Sequence, residues 1–225
     1  FAAMQESILI LDFGSQYTQL IARRVRELNV YSEIIPWNAF QGVPEGCLGV
    51  VLSGSPHSVR DEKAPQPDLS AIVGQVPLLG VCYGAQYLAT LNGGKVEASD
   101  SREYGRANLA SLNEADPLLA GMSQGSQVWM SHGDKVTRFA PGFGIVATSD
   151  GAPFAVIADE ARKYYGVQFH PESILTQGGH RMLANWLAVC GVESEDALID
   201  ELEAQVASAA GSPAPRGRHS RSVTS

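Results

Sequence analysis

The chain has 225 residues, of which 44% are hydrophobic and 18% charged, a balance typical of globular proteins rather than disordered ones. Its net charge of −8 argues against a nucleic-acid-binding protein, because such proteins usually present a basic face. The three cysteines are far apart and match no zinc-ligand spacing, so neither disulfides nor a metal site are expected. The apolar runs are far shorter than the roughly 20 residues that a membrane span needs. We therefore expect a cytoplasmic protein without membrane contact.

The first half of the sequence alternates short apolar runs with amphipathic segments. Continuous apolar runs are typical of strands buried on both faces, and four are predicted here, at residues 8–13, 30–35, 48–52 and 77–81. Ser15 is expected to cap a helix that ends near Asn29, and a second helix is predicted from residue 83 to about residue 92. Strand–helix–strand alternation of this kind predicts a parallel sheet with helices on both faces.

After Gly94 the apolar runs become shorter and turn residues separate them. We expect these runs to be antiparallel additions to the sheet, at residues 128–131, 145–149, 154–158 and 164–169. A helix from about residue 179 to Cys190 would close the domain. The predicted fold class is therefore α/β: a three-layer sandwich whose central sheet is mostly parallel, with antiparallel additions in the second half.

The ends of the chain differ in character from this domain, which is expected to span residues 7–192. Residues 1–6 are interpreted as a flexible N-terminus or the remnant of a tag. Residues 193–206 are compatible with a short amphipathic helix. Residues 207–225 contain almost no large apolar side chain, so they are predicted to be a disordered tail.

The sharpest motif is Gly80-Val81-Cys82-Tyr83-Gly84, at the junction of a predicted strand and helix. This is the pattern of a nucleophile elbow, with cysteine in place of serine. A tight turn would lift the side chain of Cys82 out of the sheet, and the helix N-terminus would favour its thiolate. The backbone amide of Tyr83 would then point to where an oxyanion forms. The alternative is a buried structural cysteine at the end of a strand.

A nucleophilic thiolate needs a base, and the base needs an orienting partner. Of the five histidines, only His170 has an acid in fixed relation to it, within Phe169-His170-Pro171-Glu172. Residues two apart in extended chain face the same side, and Pro171 stiffens the link. Glu172 would accept from one imidazole nitrogen and direct the other toward Cys82. The alternative is an exposed polar turn.

The remaining candidate residues give weaker signals. His132 lies in the segment Ser131-His132-Gly133-Asp134, which is either a polar turn or part of a substrate site. Three other side chains are interpreted as structural or surface residues: Cys47, Cys190 and His180. The sequence has no phosphate-binding loop of the Gly-x4-Gly-Lys-Ser/Thr type, so no cofactor is expected in this chain.

Taken together, these residues resemble the class I (triad) glutamine amidotransferases. The resemblance is carried by residues 80–86 (Gly-Val-Cys-Tyr-Gly-Ala-Gln) and 166–172 (Gly-Val-Gln-Phe-His-Pro-Glu). Residues 8–17, 22–28 and 129–136 are very similar to the glutaminase domain of GMP synthetases. The similarity extends from about residue 7 to residue 190, and identifies residues 7–192 as a type 1 glutamine amidotransferase domain.

The resemblance implies that the side-chain amide of L-glutamine is hydrolysed to glutamate and ammonia. Cys82 would be the nucleophile, His170 the proton shuttle and Glu172 the orienting acid. The ammonia would pass to an ATP-pyrophosphatase-type GMP synthetase domain or subunit, which would bind ATP and Mg²⁺ and convert XMP to GMP. The given sequence contains no Ser-Gly-Gly-Val-Asp-Ser loop of such a synthetase, so the synthetase is expected to lie outside residues 1–225, in another domain or another subunit.

The resemblance also implies where the substrate and the oxyanion lie. The residues expected around the bound glutamine are Gln86, Ser131, His132, Gly133 and Asp134. The backbone amides expected at the oxyanion are those of Gly54, Ser55 and Tyr83. The family usually has glycine where this chain has Ser55, and serine keeps the N–H that is needed. Two alternatives stay open: another cysteine hydrolase of this fold acting on γ-glutamyl compounds, and a non-catalytic module that binds glutamine.

Overall fold

The computed structural model describes residues 5–72, 74–150 and 154–211, without the side chains of residues 100–104 and 132. The strands of this part are β1 (Ser7–Asp12), β2 (Tyr31–Pro36), β3 (Cys47–Leu52), β4 (Leu78–Val81), β5 (Lys95–Leu112), β6 (Gln127–Arg138), β7 (Gly144–Ser149), β8 (Val156–Asp159) and β9 (Tyr164–Val167). Its α-helices are α1 (Thr18–Glu27), α2 (Tyr83–Leu91), α3 (Gly179–Val189) and α4 (Asp196–Ala209).

The strands form one sheet in the order β2-β1-β3-β4-β9-β8-β7-β5-β6. The five strands from β2 to β9 in this order are parallel, and the remaining strands are added by antiparallel pairing. Parallel neighbours need a crossover connection, and α1 supplies the one from β1 to β2, whereas α2 leads from β4 to the antiparallel part of the sheet. The predicted change from parallel to antiparallel pairing in the second half is confirmed for β5 to β8. The prediction is wrong for residues 164–169, because β9 returns to the centre of the sheet and pairs in parallel with β4, and only its other edge pairs antiparallel, with β8.

Helices cover both faces of the parallel strands. Successive side chains of a strand point to opposite faces, so Ile8 and Ile10 belong to one hydrophobic cluster while Leu9 and Leu11 belong to another. The first cluster contains the buried faces of α1, α3 and α4, and the second contains the apolar residues of α2. The three-layer α/β architecture predicted from the alternation of runs is therefore confirmed.

Helix α4 packs on α3 and completes that layer. Ile199 and Leu202 are buried in the first cluster. The carboxylate of Glu203 accepts from the backbone amides of Gly178 and Arg181, at 3.2 and 2.8 Å, so it binds the exposed amides at the N-terminus of α3. The helix continues to Ala209, three residues past the predicted end at residue 206. The rest of the predicted tail, residues 212–225, lies outside the described residues.

Three further details of the sequence-based prediction are wrong. Ser15 does not cap α1: the N-cap is Tyr17, and the hydroxyl of Ser15 accepts from the Tyr17 amide in the preceding turn. The 18-residue strand β5 has no predicted counterpart. His180 does not lie on a helix surface but is 3% exposed.

None of the helices formed by residues 5–72, 74–150 and 154–211 is long and apolar enough to cross a membrane.

Candidate active site

A cavity of about 870 Å³ opens at the carboxyl edge of the parallel strands. The segments that follow β1, β3, β4 and β9 meet there, as expected for an α/β sheet, whose ligands bind at this edge. The predicted residues that line the cavity are Gly54, Ser55, Cys82, Tyr83, Gln86, Ser131, Gly133, Asp134 and His170. The structure thus brings together residues that are dispersed over more than half of the sequence.

Cys82 occupies the turn between β4 and α2 in a conformation that is rare for a residue with a side chain. Its φ of 51° and ψ of −107° lie outside the regions that L-residues normally occupy. The two flanking glycines are required by contact: a Cβ on Gly80 would lie 2.6 Å from the carbonyl group of Gly84, and a Cβ on Gly84 would overlap the carbonyl oxygen of Leu52. The predicted nucleophile elbow is present in the structure.

The three predicted catalytic side chains form one continuous chain of contacts. The Sγ of Cys82 lies 3.4 Å from Nε2 of His170. On the other side of the ring, Nδ1 of His170 lies 2.5 Å from Oε1 of Glu172. All three side chains are buried, and Glu172 is 1% exposed behind the imidazole. This arrangement of a thiol, an imidazole and a carboxylate has the geometry that a catalytic triad requires.

Two negative charges set the protonation state of His170. Burial alone would lower the pKa of the imidazole, but the charges of the Cys82 thiolate and the Glu172 carboxylate outweigh burial and raise the pKa to about 11. The imidazole is therefore protonated at neutral pH when Cys82 is ionised. A thiolate–imidazolium pair is the reactive state of a cysteine nucleophile.

Strand β6 holds the segment that carries His170. Met130 forms an isolated antiparallel bridge with Phe169, and the amide of His170 donates to the carbonyl oxygen of Trp129 at 3.0 Å. The hydroxyl of Thr176 donates to the carbonyl oxygen of His170 at 2.6 Å and accepts from the Trp129 amide at 3.0 Å. These bonds place the next residues of β6, including Ser131, beside the imidazole at the cavity.

The predicted oxyanion residues line the same cavity as Cys82 and come from two segments of the chain. Tyr83 is the first residue of α2, and the amides of a first helical turn have no carbonyl partner within the helix. Gly54 follows β3, and a Cβ added there would lie 3.7 Å from Cε1 of His170. The hydroxyl of Ser53 fixes this turn, since it accepts from the Phe13 amide and donates to the Gly54 carbonyl oxygen, each at 2.9 Å.

The predicted substrate residues are partly engaged with one another. Nε2 of Gln86 donates to the carbonyl oxygen of Asp134 at 3.3 Å and to Oε1 of Gln168 at 3.2 Å. The carboxylate of Asp134 accepts from the hydroxyl of Ser58 at 2.5 Å and lies 3.6 Å from the guanidinium of Arg60. Asp134 therefore ties the segment that follows Gly54 and Ser55 to the middle of β6. The side chain of His132 lies outside the described part.

Sequence reasoning missed further residues at this site. The ring of Tyr17 lies 5.1 Å from the imidazole of His170 and lines the cavity. Arg24 donates to the backbone carbonyl oxygen of Glu172 at 3.0 Å. Both lie in segments that resemble the glutaminase domain, but no spacing rule connects them to His170, because only the folded chain brings them there.

In the described part no group of three His, Cys, Asp or Glu side chains could hold a metal ion.

Comparison with known proteins agrees with this geometry. The family model for glutamine amidotransferase class-I matches residues 9–190, so the chain belongs to the class-I glutamine amidotransferase family. It is 49% identical over 205 residues to a protein of Phocaeicola vulgatus named GMP synthase (glutamine-hydrolyzing), with 91% of this chain and 40% of the relative covered. A Brucella melitensis protein of the same name is 52% identical over 193 residues, with 82% and 37% covered.

The solved structures that resemble this chain include that of a GMP synthase subunit protein from Thermoplasma acidophilum. The TM-score is 0.75 and the identity 26%, and the match covers 84% of this chain and 96% of that one. A glutamine amidotransferase of Thermotoga maritima, with a TM-score of 0.61 and 21% identity, shares the fold. The chain spans about two fifths of the length of the Phocaeicola relative but nearly the whole of the Thermoplasma protein.

Proposed function

We propose that this chain hydrolyses the side-chain amide of L-glutamine and supplies the ammonia to an ATP-dependent synthetase that converts XMP to GMP. The observation that carries the proposal is the contact of Cys82 with His170, and of His170 with Glu172, at the floor of a polar cavity. The names of the relatives support the choice of GMP synthesis among the reactions that use such ammonia.

The first half-reaction forms a thioester. The thiolate of Cys82 attacks the amide carbon, and the carbonyl π electrons move to the oxygen, which becomes an oxyanion. The oxyanion collapses, the C–N bond breaks, and His170 gives its proton to the departing nitrogen, so that ammonia leaves. Glu172 keeps the imidazole oriented and stabilises its positive charge, as the acid of a triad does.

The second half-reaction releases glutamate. Neutral His170 takes a proton from water while the water oxygen attacks the thioester carbon, and a second oxyanion forms. Its collapse breaks the C–S bond, and Cys82 leaves as a thiolate beside the imidazolium. The two half-reactions together consume one glutamine and one water, and they produce one glutamate and one ammonia.

The oxyanions would be bound by backbone amides on both sides of the thiol. The N-terminus of α2 directs the amide of Tyr83 and the positive end of the helix dipole toward the cavity. The turn that follows β3 contributes the amides of Gly54 and Ser55. The hydroxyl of Ser55 accepts from the His57 amide at 3.1 Å, so this side chain stabilises its own turn.

We assign glutamine recognition to the wall formed by α2 and the middle of β6. Gln86 presents an amide group, and the Ser131-to-Asp134 segment presents a hydroxyl and backbone groups. Free glutamine carries an ammonium and a carboxylate that require such polar partners. Peptides with a γ-glutamyl bond would present a bulky group in place of the primary amide.

The test is glutamine hydrolysis by the whole chain, alone and with a separately supplied XMP-aminating synthetase. We expect GMP formation from glutamine in the mixture, and its loss in Cys82→Ala while ammonium still supports amination. Cys47→Ala is the matched control, because Cys47 is buried at the start of β3 and does not line the cavity. Unchanged hydrolysis in Cys82→Ala would refute the mechanism.

A substrate panel and an electrophilic glutamine analogue test the two alternatives. Faster cleavage of γ-glutamyl peptides than of glutamine would favour the peptide hydrolase. A chloroketone analogue of glutamine that binds without alkylating Cys82 would favour a non-catalytic binding module. Alkylation of Cys82 with protection by glutamine is the result expected from the proposed function.

A further inference from the structure

Arg24 is a buried arginine behind the triad whose role the proposed mechanism does not include. It lies on α1 and is 8% exposed. Its Nε donates to the backbone carbonyl oxygen of Glu172 at 3.0 Å, a contact between residues 148 positions apart. Arginine cannot lose its charge in a protein, and a buried charge is costly unless it is paired and hydrogen-bonded.

The pairing of Arg24 links α1 to α3. Its guanidinium NH1 donates to Oε1 of Glu27 at 2.8 Å, and Oε2 of Glu27 lies 2.9 Å from Nε2 of His180. Burial raises the pKa of Glu27, but the hydrogen bond with His180 and the charge of Arg24 outweigh it, so the net pKa is below its usual value. Glu27 is thus ionised at neutral pH and fixes the direction of the guanidinium.

The imidazole of His180, unlike that of His170, is neutral at neutral pH. Burial lowers the pKa of His180, and the hydrogen bond with Glu27 only partly offsets this effect. A neutral ring that donates from Nε2 to Glu27 satisfies the carboxylate without adding charge. The set Arg24, Glu27 and His180 therefore carries one positive and one negative charge, and its chain of hydrogen bonds ends on the backbone of Glu172.

Each carbonyl group of the His-Pro-Glu segment meets a different neighbour. The carbonyl oxygen of His170 accepts from Thr176, and that of Glu172 accepts from Arg24. The carbonyl oxygen of Pro171 lies against Gly179, where a Cβ would overlap it. Of these contacts, only the bond from Arg24 is made to Glu172, the residue whose carboxylate contacts the imidazole of His170.

We propose that Arg24 is a positioning residue for the triad: it fixes the backbone of Glu172, so that the carboxylate stays on Nδ1 of His170 and Nε2 stays on Cys82. The proposal rests on the proposed function. Arg24 acts only through Glu172, since it does not line the cavity where the substrate would bind. Removing it should slow the chemical step and leave substrate affinity unchanged.

The first test compares Arg24→Met with Arg26→Met. Arg26 is a fair control because it lies on the same helix and its guanidinium also donates to a backbone carbonyl, that of Ser32 at 2.9 Å, away from the triad. Alkylation of Cys82 by a chloroketone analogue of glutamine is followed by mass spectrometry. We expect Arg24→Met to lower the limiting rate about tenfold to a hundredfold, with the half-saturating concentration unchanged.

Conservative variants separate positioning from general packing. Arg24→Lys keeps a positive donor near the Glu172 carbonyl and should recover part of the rate. Glu27→Gln leaves Arg24 in place but loosens it, so a smaller decrease is expected, and this variant decides the question if Arg24→Met does not fold. Equal rates in wild type, Arg24→Met and Glu27→Gln would overturn the proposal.

The second test does not depend on glutamine chemistry. The proton between Nδ1 of His170 and the Glu172 carboxylate should give a resonance far downfield of the amides, assigned by its loss in Glu172→Gln. Arg24→Met should shift or broaden this resonance, and Arg26→Met should not. An unchanged resonance in Arg24→Met would overturn the proposal even if the chain proved not to hydrolyse glutamine; a shifted one would support it in either case.

Discussion

The backbone and the proposed chemistry favour different residues at position 82: the backbone conformation favours glycine, whereas the chemistry needs a cysteine. The turn needs a positive φ, which glycine adopts freely and other L-residues adopt at a cost of about 1–2 kcal/mol. The proposed chemistry needs a thiol at the same position. Cys82 is also the N-cap of α2, where glycine is tolerated with a loss of only a few tenths of a kcal/mol.

Cys82→Gly should therefore be more stable than Cys82→Ala, by about 1 kcal/mol in the free energy of unfolding. Both variants lack the thiol and its pairing with His170, so the comparison isolates the Cβ atom. Urea unfolding followed by tryptophan fluorescence measures the difference. Equal stability of the two variants would show that the turn is not strained.

The raised pKa of His170 has a defined effect on stability. Because the folded-state pKa of about 11 exceeds the value of about 6.5 in unfolded chains, protonation stabilises the folded protein fully below about pH 6.5. This contribution decreases as the pH rises from about 6.5 toward 11, because over that range the folded state still binds a proton that the unfolded state has released. It is lost once the folded state releases the proton as well.

Glu172→Gln should reduce this pH-dependent contribution, because it removes one of the two charges that raise the pKa of His170. The stability difference between wild type and variant should be largest near pH 6.5 and should shrink toward pH 10, about the upper limit for a practical measurement. Urea unfolding at several pH values tests this. A difference that grows with pH would contradict the assigned sign.

At the scale of secondary-structure elements, the contact of α2 with β3 sets the position of Cys82, the proposed nucleophile. Gly84 lies in the first turn of α2 with no room for a methyl group against the Leu52 carbonyl. A larger residue would have to move the helix, and the amides of its first turn, away from the cavity.

Gly84→Ala should lower the free energy of unfolding by roughly 1–3 kcal/mol, the usual cost of overpacking. Gly144→Ala is the control, because a Cβ at Gly144 meets nothing within 4 Å and its φ is not positive. Chemical denaturation of the two variants gives the comparison. A neutral effect of Gly84→Ala would mean that α2 can move freely relative to β3.

The segment from Gly54 to Arg60 is a second element whose position matters for the site. It carries the proposed oxyanion amides at one end, and the bond from Ser58 to Asp134 fastens the other end to β6. The hydroxyl of Ser58 also accepts from the Arg60 amide at 3.1 Å, so one side chain stabilises both the turn and its attachment.

Ser58→Ala should increase the rate of trypsin cleavage after Lys63 severalfold, since a segment that opens more often is cut more often. Ser70→Ala serves as the control: Ser70 lies in the same stretch, and its hydrogen-bond partner is Asp68, two residues away, so the substitution leaves the bond from Ser58 to β6 intact. Gel electrophoresis and mass spectrometry identify the cut. Equal cleavage rates would show that the bond to Asp134 does not restrain the segment.

At the scale of the whole molecule, the predicted and the unexpected parts of the fold differ in their apolar pattern. Strands such as β3 are buried on both faces, so a continuous apolar run marks them in the sequence. Strand β5 pairs first with β6 and then with β7 at the far end of the sheet, and its register shifts between Ala98 and Glu103. Its sequence is mostly polar and small, so no periodicity indicates its length.

The candidate site divides in the same way. Cys82, His170 and Glu172 could be predicted because each lies in a short motif whose spacing carries chemistry. Tyr17 and Arg24 could not, since Tyr17 reaches His170, and Arg24 reaches Glu172, only through the packing of α1 and its N-terminal turn on the sheet. The burial of His180 could not be predicted either, because a histidine on a helix gives no sign of a partner 153 residues away.

The distance in sequence between Cys82 and His170 has a consequence for how the protein is made. The two residues are 88 positions apart and follow neighbouring parallel strands. During synthesis, β4 therefore cannot pair with β9 until the residues of β9 have been added to the chain. A ribosome adding about 5–20 residues per second needs roughly 4–18 s to synthesise that interval. Throughout this time the nascent chain contains the cysteine without its base. The contact between Cys82 and His170 thus forms only after one of the longest-range strand pairings of the fold, so the proposed catalytic pair is absent until β9 has been made.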